Sequence, residues 1–267
     1  MAGTSKGNEA SKQRAIIRVE NAYNYWLGNK EKGMKKAASM FKTDYMKLRN
    51  HIEKNGHNLL SCNPETFSSI NTEEKAYWLG FLYADGSVGL KNNDVELALQ
   101  DSDNNHLEKF KTFIGSSNNI KIDSYRCRLV VCNTIFKENL VKWGCTAQKS
   151  LKIKFPGIDK ELVRHFIRGY FDGDGCISRA CSDCLWHTAS IACGSEAFIN
   201  SLSVIIEEFC NVKTTVYRKS KGSNTFIICF DGKRFTKFIN WIYKDCKIFL
   251  DRKYQRYLDS VAVVLSD

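Results

Sequence analysis

The stretch AYWLGFLYADGSV, residues 76–88, is largely apolar with helical spacing, yet it ends on Asp85 followed by glycine. A second stretch, HFIRGYFDGDGCI, residues 165–177, ends in the same way on Asp174. In the cores WLGFLYADG and IRGYFDGDG, glycine takes the third and ninth places, a small residue the seventh and aspartate the eighth. Asp174 lies 89 residues after Asp85, so the matched pattern predicts one structural device used twice.

The small residues of each motif are spaced one helical turn apart. Gly80 and Ala84 in the first copy correspond to Gly169 and Gly173 in the second, which gives each helix one smooth face. A glycine inside a helix costs roughly 1 kcal/mol relative to alanine, so its presence requires a packing reason. We therefore expect the two helices to pack against each other with their ends side by side.

This packing would bring Asp85 and Asp174 together at two helix C-termini. Two carboxylates there repel each other and the negative ends of the helix dipoles unless a cation binds between them. Mg²⁺ prefers oxygen ligands and commonly binds one or two carboxylates with water and substrate phosphate; Mn²⁺ is an alternative. The paired acids predict a metal centre for phosphodiester hydrolysis. Taken singly, an apolar helix ending in Asp-Gly is more often a core helix before a turn.

The composition limits the classes of function. The 267 residues include 40 Lys and Arg against 29 Asp and Glu, and the net charge of +11 favours a polyanionic partner such as nucleic acid. Hydrophobic residues make up 43% of the chain, which is enough for a buried core. No apolar run reaches about 18 residues and the N-terminus lacks a signal-peptide core, so we expect neither a membrane partner nor secretion.

The 11 cysteines are scattered, and Cys132, Cys210 and Cys229 fall inside apolar strands or helices. This pattern predicts buried, reduced thiols in an intracellular protein, in a prokaryotic or phage-infected cytoplasm or in an organelle. The cluster CSDCLWH, residues 181–187, resembles half of a zinc site. A second Cys-x2-Cys pair is missing and the cluster falls at a predicted hairpin turn, so we do not expect zinc.

Two prolines, at positions 64 and 156, separate segments of different character. Residues 1–63 are the most basic, with 12 Lys and Arg and 5 acidic residues. Residues 64–155 and 156–267 repeat one order of elements: helix, two strands, helix, two strands, helix. The sequence therefore predicts an α+β protein in which a small helical domain precedes two pseudo-symmetric αββαββα repeats.

Within residues 1–63, the pattern predicts a helix over Lys35–Phe41, a tight turn, and a second helix over Tyr45–Lys54 capped by Asp44 or Thr43. This arrangement resembles the helix-turn-helix of DNA-binding proteins, although an ordinary basic hairpin with a solvated face is the alternative. The second helix would contact phosphates and base edges through an exposed face. The residues of that face are Lys47, Arg49, Asn50 and Lys54.

The paired motifs resemble the LAGLIDADG homing endonucleases in their single-chain, two-motif form, over roughly residues 70–260. The resemblance implies a β-saddle over double-stranded DNA and a monomeric enzyme that cuts both strands of a long, nearly asymmetric site, leaving 3′ overhangs. It implies that Asp85 and Asp174 bind the catalytic metals. The sixth motif position, Tyr83 in the first copy and Asp172 in the second, varies in the family. We expect Asp172 to be a partly exposed flank or a salt-bridge partner.

The family also uses one basic residue per repeat near the metal site. Lys149, in the stretch QKSLKIKFP after the first repeat, matches this position. The second repeat is predicted to close in a helix from Arg234 onward, and FLDRKYQRYL follows it, so Lys253 or Arg252 is the counterpart; we assign Lys253. A lysine there would polarise the attacking water or steady the charge on the phosphate. A lysine that contacts only backbone phosphates is the alternative.

Alternation along the predicted strands marks a polar and basic sheet face that can enter the major groove of DNA. The residues assigned to this face are Gln100, Arg126, Arg128, Arg179, Lys213, Tyr217 and Lys219. For each of them singly, a solvated sheet face is the alternative. Glu96 and Gln100 have no clear match around Ser190 and Gly194, so two identical half-sites are not expected.

Two other functions fit the same sequence. An RNA-binding maturase that assists splicing of its host intron would keep both aspartates and add intron RNA as a partner. A non-catalytic DNA-binding regulator would keep the fold and not the cleavage, and the presence of both aspartates disfavours it. An intein is not expected, because the chain does not start with Cys or Ser or end in His-Asn. We expect a free-standing or intron-encoded nuclease.

Overall fold

The computed structural model describes residues 4–56, 61–179 and 187–264. The chain divides into two compact units, Met1–Leu60 and Ser61–Asp267. Three helices make up the described part of the first unit, and two four-stranded sheets with their covering helices make up the second. No helix in the described ranges combines the length and hydropathy needed to cross a membrane.

The first unit is a small helical domain. Its helices are α1 (Thr4–Gly28), α2 (Gly33–Met40) and α3 (Tyr45–Lys54). Asp44 caps α3 by accepting a hydrogen bond from the backbone N–H of Lys47 at 3.0 Å, which decides between the two predicted caps. The apolar core of this unit consists of Ala22, Trp26, Ala37, Ala38, Leu48 and Ile52.

The second unit contains two copies of the same order of elements. The first copy is α4 (Glu73–Asp85), β1 (Gly86–Val88), β2 (Asp94–Gln100), α5 (Asn104–Phe113), β3 (Lys121–Asp123), β4 (Arg126–Cys132) and α6 (Thr134–Lys142). The second copy is α7 (Val163–Asp174), β5 (Gly175–Arg179), β6 (His187–Cys193), α8 (Glu196–Cys210), β7 (Val216–Arg218), β8 (Phe226–Phe230) and α9 (Gly232–Tyr243). A further helix, α10 (Asp251–Val264), follows.

Each copy forms one antiparallel sheet, with strand orders β1-β2-β4-β3 and β5-β6-β8-β7. The registers are equivalent: Gly86 pairs with Leu97 in sheet 1, and Gly175 pairs with Ile191 in sheet 2. The predicted α+β class with duplicated αββαββα repeats is confirmed.

Alternation along the strands sends one side chain in two into the core. In β2, Val95, Leu97 and Leu99 are buried, while the intervening side chains lie on the opposite, open face. We call this open face of each sheet its outer face. Because β4 pairs in register with β2, its buried residues lie directly opposite those of β2.

The prediction of buried thiols was wrong for particular cysteines. Cys132 and Cys229 are exposed and Cys210 is half-buried, although every cysteine in the described ranges is a free thiol. Cys132 and Cys229 occupy outward positions of β4 and β8, so strand parity decides their exposure rather than the apolar character of the neighbouring sequence. Apart from His187, the suspected zinc cluster at residues 181–187 lies outside the described residues.

The closing helix predicted from Arg234 onward is in fact two helices. It breaks after α9, where Asp245 adopts a left-handed conformation with φ of 56°, and residues 244–250 lead into α10. Lys213, which was predicted to lie on a strand, is outside the sheet, because β7 starts at Val216. Residues 244–250 and α10 carry groups that line the candidate active site.

Candidate active site

Helices α4 and α7 approach each other through their glycines. A Cβ atom on Gly80 would lie 2.0 Å from the carbonyl oxygen of Phe166, and one on Gly169 would lie 1.9 Å from that of Tyr77. Phe166 and Tyr77 are equivalent motif positions, so the two contacts are related by the pseudo-symmetry. Only glycine permits backbones to approach this closely.

The last turns of the two helices bring the aspartates together. A Cβ on Gly173 would lie 2.3 Å from the Cβ of Ala84 and 3.1 Å from Oδ2 of Asp85. Asp85 therefore lies against the end of α7, whose final residue is Asp174. The interface thus contains Ala84 and Gly173 as well as the two central glycines.

Asp85 borders an open cavity of about 420 Å³ that both repeats line. Gln100 and Arg126 line it from the outer face of sheet 1, Gly173 from α7, and Arg252 from α10. The cavity therefore connects Asp85, the predicted metal ligand, to the outer face of sheet 1, which is predicted to contact DNA.

The electrostatics at Asp85 are unfavourable for an isolated carboxylate. Its side chain is accessible to solvent, but protein atoms surround it on most sides. Burial raises the pKa of Asp85 to about 6, and the like charge of Asp174 adds to the increase. The positive charges of Lys253 and Lys149 act in the opposite direction.

Asp174 has a different environment from Asp85. Burial raises the pKa of Asp174, while a hydrogen bond from Tyr170 and the charges of both site lysines lower it. The position equivalent to Tyr170 in the first repeat is Phe81, which has no hydroxyl group. The two carboxylates are thus equivalent in position and unequal in hydrogen bonding.

Lys253 is almost fully buried at the end of α7. Its Nζ atom donates to the carbonyl oxygens of Phe171 at 2.7 Å, Gly173 at 3.1 Å and Gly175 at 2.5 Å. These carbonyls belong to the last turn of the helix and the residue after it, so the ammonium group caps the negative end of the helix dipole.

Lys149 makes the equivalent contacts in the first repeat. Its Nζ atom donates to the carbonyl of Ala84 at 3.4 Å and to that of Gly86. Arg252 instead binds the carboxylate of Asp103, with Nε 3.0 Å from Oδ2. The geometry therefore pairs Lys149 with Lys253 rather than with Arg252.

Asp172 is fully buried, so the expectation of a partly exposed flank was wrong. Its Oδ2 atom accepts hydrogen bonds from the Tyr77 hydroxyl at 2.7 Å and from the Leu250 backbone N–H at 2.8 Å. Its Oδ1 atom accepts one from the Tyr243 hydroxyl. The donors lie between 71 and 95 residues away along the chain, which is why no local sequence signal indicates them.

The predicted DNA-facing residues of sheet 1 lie together. Gln100 is paired in register with Arg126, and Arg128 follows two residues later on the same outer face. Gln100 also donates to Asp103 at 3.0 Å, and Arg128 lies 3.6 Å from Asp123.

The predicted residues of sheet 2 are more dispersed. Tyr217 is 55% exposed on β7, and Lys219 follows it with the same parity. Lys213 is exposed but precedes the strand. Arg179 shares the parity of buried Ile177 and lines a separate cavity beside α10, so the sheet directs it away from the outer face.

The basic face of α3 borders a cavity of about 490 Å³ between α1 and α3. Lys47, Asn50 and Lys54 line this cavity, whereas Arg49 forms an exposed ion pair with Glu53 at 3.1 Å. Three of the four residues predicted to contact DNA therefore lie next to one another at this cavity. The fourth, Arg49, is paired with an acidic residue of its own helix.

The donor set formed by Asp85 and Asp174 fits a divalent cation. A cation between them would offset the repulsion and the burial that raise both pKa values. Within residues 4–56, 61–179 and 187–264, no cluster of three or more His, Cys, Asp or Glu side chains surrounds a metal position. Water and phosphate oxygens would therefore complete the shell, as is usual for Mg²⁺.

Comparison with known families identifies the second repeat. Residues 161–242 match the model of the LAGLIDADG-like domain, a segment that includes α7 and Asp174. This segment is similar to a LAGLIDADG-like domain. The resemblance inferred from the motifs is thereby confirmed, whereas the helix-turn-helix interpretation of the first unit stays a prediction.

Solved structures of LAGLIDADG proteins are similar to this chain. I-SmaMI, bound to an uncleaved DNA target with calcium ions, aligns with a TM-score of 0.51 and 13% identity over 73% of this chain and 91% of its own. I-LtrWI bound to target DNA gives a TM-score of 0.49 at 14% identity, covering 76% and 92% of the two chains. The N-terminal LAGLIDADG domain of DUF199/WhiA gives 0.46 at 15% identity, covering 73% and 93%.

Two curated proteins of Methanocaldococcus jannaschii resemble the chain over a small part of their own length. A probable translation initiation factor IF-2 is 30% identical over 161 residues, 55% of this chain and 12% of that protein. The DNA-directed RNA polymerase subunit Rpo1C is 27% identical over 191 residues, 66% of this chain and 20% of that protein. Because their names are unrelated and the shared parts small, neither activity transfers to this chain.

Proposed function

We propose that this chain is a site-specific endonuclease that uses a divalent metal to hydrolyse both strands of DNA. The observation that carries the proposal is the pair of aspartates at adjoining helix ends, each with a lysine of its own repeat on the neighbouring carbonyls. A protein that only binds DNA has no need to hold two like charges in a partly desolvated site. The LAGLIDADG-like domain and the shared fold support the proposal.

The residues divide the chemistry between them. Asp85 and Asp174 would hold Mg²⁺, or Mn²⁺, which when bound would activate water and stabilise charge on the leaving oxygen. Lys149 donates to two carbonyls in the described structure, so its third N–H is left for a phosphate oxygen or a water. Lys253 donates to three carbonyls and places a positive charge beside Asp174, and burial lowers the pKa of its ammonium group to about 8.

The outer faces of the sheets would read the DNA. The outer face of sheet 1 carries charged and amide groups, including Glu96, Gln100 and Arg126. The register of sheet 2 places Ser190, a small neutral residue, between two exposed cysteines on neighbouring strands. Because equivalent positions differ so strongly, the proposed target is non-palindromic. The resemblance to the LAGLIDADG homing endonucleases implies that the target is long and that cleavage leaves 3′ overhangs.

A second candidate is a DNA-binding protein of the same fold that does not cut. One observation favours it: Lys253 uses all three of its N–H groups on backbone carbonyls, which leaves none for a substrate. The maturase, the monomeric state and the intracellular location stay predictions.

Cleavage of a randomised double-stranded DNA library, with Mg²⁺ and with EDTA, tests the proposal. We expect metal-dependent double-strand cuts at one long sequence, lost in Asp85→Asn and in Asp174→Asn. The exposed Asp159→Asn is the matched control and should cut like the wild type. Tight, sequence-specific binding without cutting would move the assignment to the non-catalytic candidate, and RNA would be the next ligand to test.

A further inference from the structure

Residues 244–250, which join α9 to α10, are held by a buried arginine of α7. Arg168 is fully buried, and its Nε donates to the carbonyl of Ile248 at 2.9 Å. Its Nη1 donates to the carbonyl of Ile242 at 3.0 Å, and its Nη2 to Glu73 of α4 at 2.8 Å. One guanidinium thus binds the last turn of α9 and the joining segment, and ties both to the first repeat.

Asp172 holds the same segment from the next turn of α7. It accepts the backbone N–H of Leu250 and the hydroxyl of Tyr243. Arg168 and Asp172 are four residues apart and lie on one face of the helix. The Arg168 guanidinium donates to backbone carbonyls, and the Asp172 carboxylate accepts from a backbone N–H and a hydroxyl. The pair therefore provides hydrogen-bond partners for both the acceptors and the donors at the joining segment.

Leu250 connects this contact to the active site. Its carbonyl accepts the backbone N–H of Lys253 at 3.0 Å in the first turn of α10. The position of Leu250 therefore sets where α10 begins, and Lys253 reaches its three carbonyls from that first turn.

We propose that Arg168 and Asp172 form a buried brace that positions Lys253 for catalysis. Both are positioning residues, and the inference rests on the proposed nuclease function. The equivalent residues of the first repeat are Leu79 and Tyr83. There the Tyr83 hydroxyl donates to the carbonyl of Trp143, just after α6. The segment that leads from α6 to Lys149 is thus tethered to α4 by the Tyr83 hydroxyl and by the Cys145 thiol, which donates to the carbonyl of Leu82 at 3.6 Å. Because these groups differ from Arg168 and Asp172, the two sites should respond to different substitutions.

Stability alone does not account for the brace. A buried ion costs desolvation, and well-packed apolar residues of similar volume often stabilise a protein as well or better. The first repeat has an apolar residue at the position equivalent to Arg168, where Leu79 is fully buried. The polar pair is therefore explained better by the geometry it imposes on residues 244–250 than by its packing.

Strand-specific cleavage of the target selected from the library tests the brace. Lys149→Met and Lys253→Met first identify which strand each site cuts. We expect Asp172→Leu and Arg168→Leu to slow the strand that depends on Lys253 at least tenfold, so nicked plasmid accumulates. Cleavage of the other strand and DNA affinity in EDTA should stay within twofold. Tyr83→Phe, the matched control in the other repeat, should slow only the opposite strand.

Two further measurements separate positioning from loss of fold. Asp172→Asn keeps an acceptor oxygen for Leu250, so it should restore most of the rate that Asp172→Leu loses. Hydrogen exchange of peptides spanning residues 244–256 should rise in Asp172→Leu, while exchange in sheet 1 stays at the wild-type level.

The outcomes distinguish the brace from the nuclease proposal. Equal slowing of both strands, or unchanged exchange over residues 244–256, would overturn the brace. If the wild-type protein cuts no DNA, the nuclease proposal fails and with it the catalytic purpose of the brace. Hydrogen exchange then still decides whether Arg168 and Asp172 hold the segment.

Discussion

Asp85 and Asp174 occupy equivalent positions, yet their neighbours differ. Tyr170 donates a hydrogen bond to Asp174, whereas Asp85 faces the open cavity with the like charge of Asp174 nearby. An acidic group whose folded-state pKa lies above its ordinary value stabilises the fold below that ordinary value, and the contribution is lost as pH rises through the folded pKa. For Asp85 this window runs from 3.8 to about 6.

Asp85→Asn should therefore stabilise the metal-free protein at neutral pH. In EDTA at pH 7.5 we expect a melting temperature higher than wild type by about 2 °C or less, because water screens part of the penalty at this accessible side chain. At pH 5 the wild-type carboxyl is largely protonated, so the difference should shrink. Thermal melts at both pH values measure this, and a variant less stable than wild type at pH 7.5 would contradict it.

Added Mg²⁺ should reverse the order of the two proteins. A ligand that binds only the folded state raises its stability, so millimolar Mg²⁺ should raise the melting temperature of the wild type. Asp85→Asn lacks one metal ligand and should respond weakly, and Asp159→Asn should respond like the wild type. An equal response of all three proteins to Mg²⁺ would argue against a site at Asp85.

At the scale of single residues, the sequence located the acids but not their environment. The paired motifs picked out Asp85 and Asp174 because their spacing repeats. The burial of Asp172 was missed because its partners, Tyr77, Tyr243 and Leu250, are distant in sequence. Distances of that kind are set by packing, and a single sequence does not encode them as a local pattern.

The packing of α4 on α7 is the element on which the site depends. Both central glycines meet backbone atoms of the opposite helix, and backbone atoms cannot rotate away as a flexible side chain can. The same interface that buries apolar residues therefore also fixes the separation of the two aspartates.

Gly80→Ala and Gly169→Ala should each lower the free energy of unfolding by about 2 kcal/mol or more, because the added methyl group forces the helices apart. Gly157→Ala is the matched control: a Cβ there meets nothing within 4 Å, so a change of about 0.5 kcal/mol or less is expected. Urea unfolding measures all three. Stabilities of the two helix variants that match the control would contradict the close approach.

The order of helices and strands was predictable from the sequence, whereas one helix break and the exposure of two strand residues were not. The αββαββα order was predictable from alternation and helical spacing. The break at Asp245 was not, because an aspartate in a left-handed conformation leaves no distinctive pattern in one sequence. The exposure of Cys132 and Cys229 required the register, since a shift of one residue exchanges the two faces of a strand.

At the scale of the whole molecule, the positive charge is shared by two compact units. Of the net charge of +11, the 12 basic and 5 acidic residues of positions 1–63 supply a large part. Binding to a polyanion releases counterions, so the affinity of such a protein falls as salt rises.

Lys47→Ala combined with Lys54→Ala should weaken DNA binding by a similar factor for all sequences. Each lost phosphate contact lowers the salt slope by about one, so the double variant should lose about two. Lys160→Ala is the control, since Lys160 is exposed and lies 3.7 Å from Glu208 in the second unit. Titrations between 50 and 200 mM salt would measure the slopes. An unchanged slope in the double variant would remove the first unit from the DNA interface.

The sequence by itself determined the duplication, the α+β class, the glycine faces and the two acidic helix ends, because each is written in a local period or a repeated spacing. Only the tertiary structure decided that Lys253 rather than Arg252 matches Lys149, and that a buried carboxylate at position 172 holds the start of α10. Those choices depend on which distant backbone groups lack partners once the helices have packed. Buried backbone groups need hydrogen-bond partners, and this requirement decides the roles of Lys253 and Asp172. The order of residues along the chain does not show which backbone groups will be buried together.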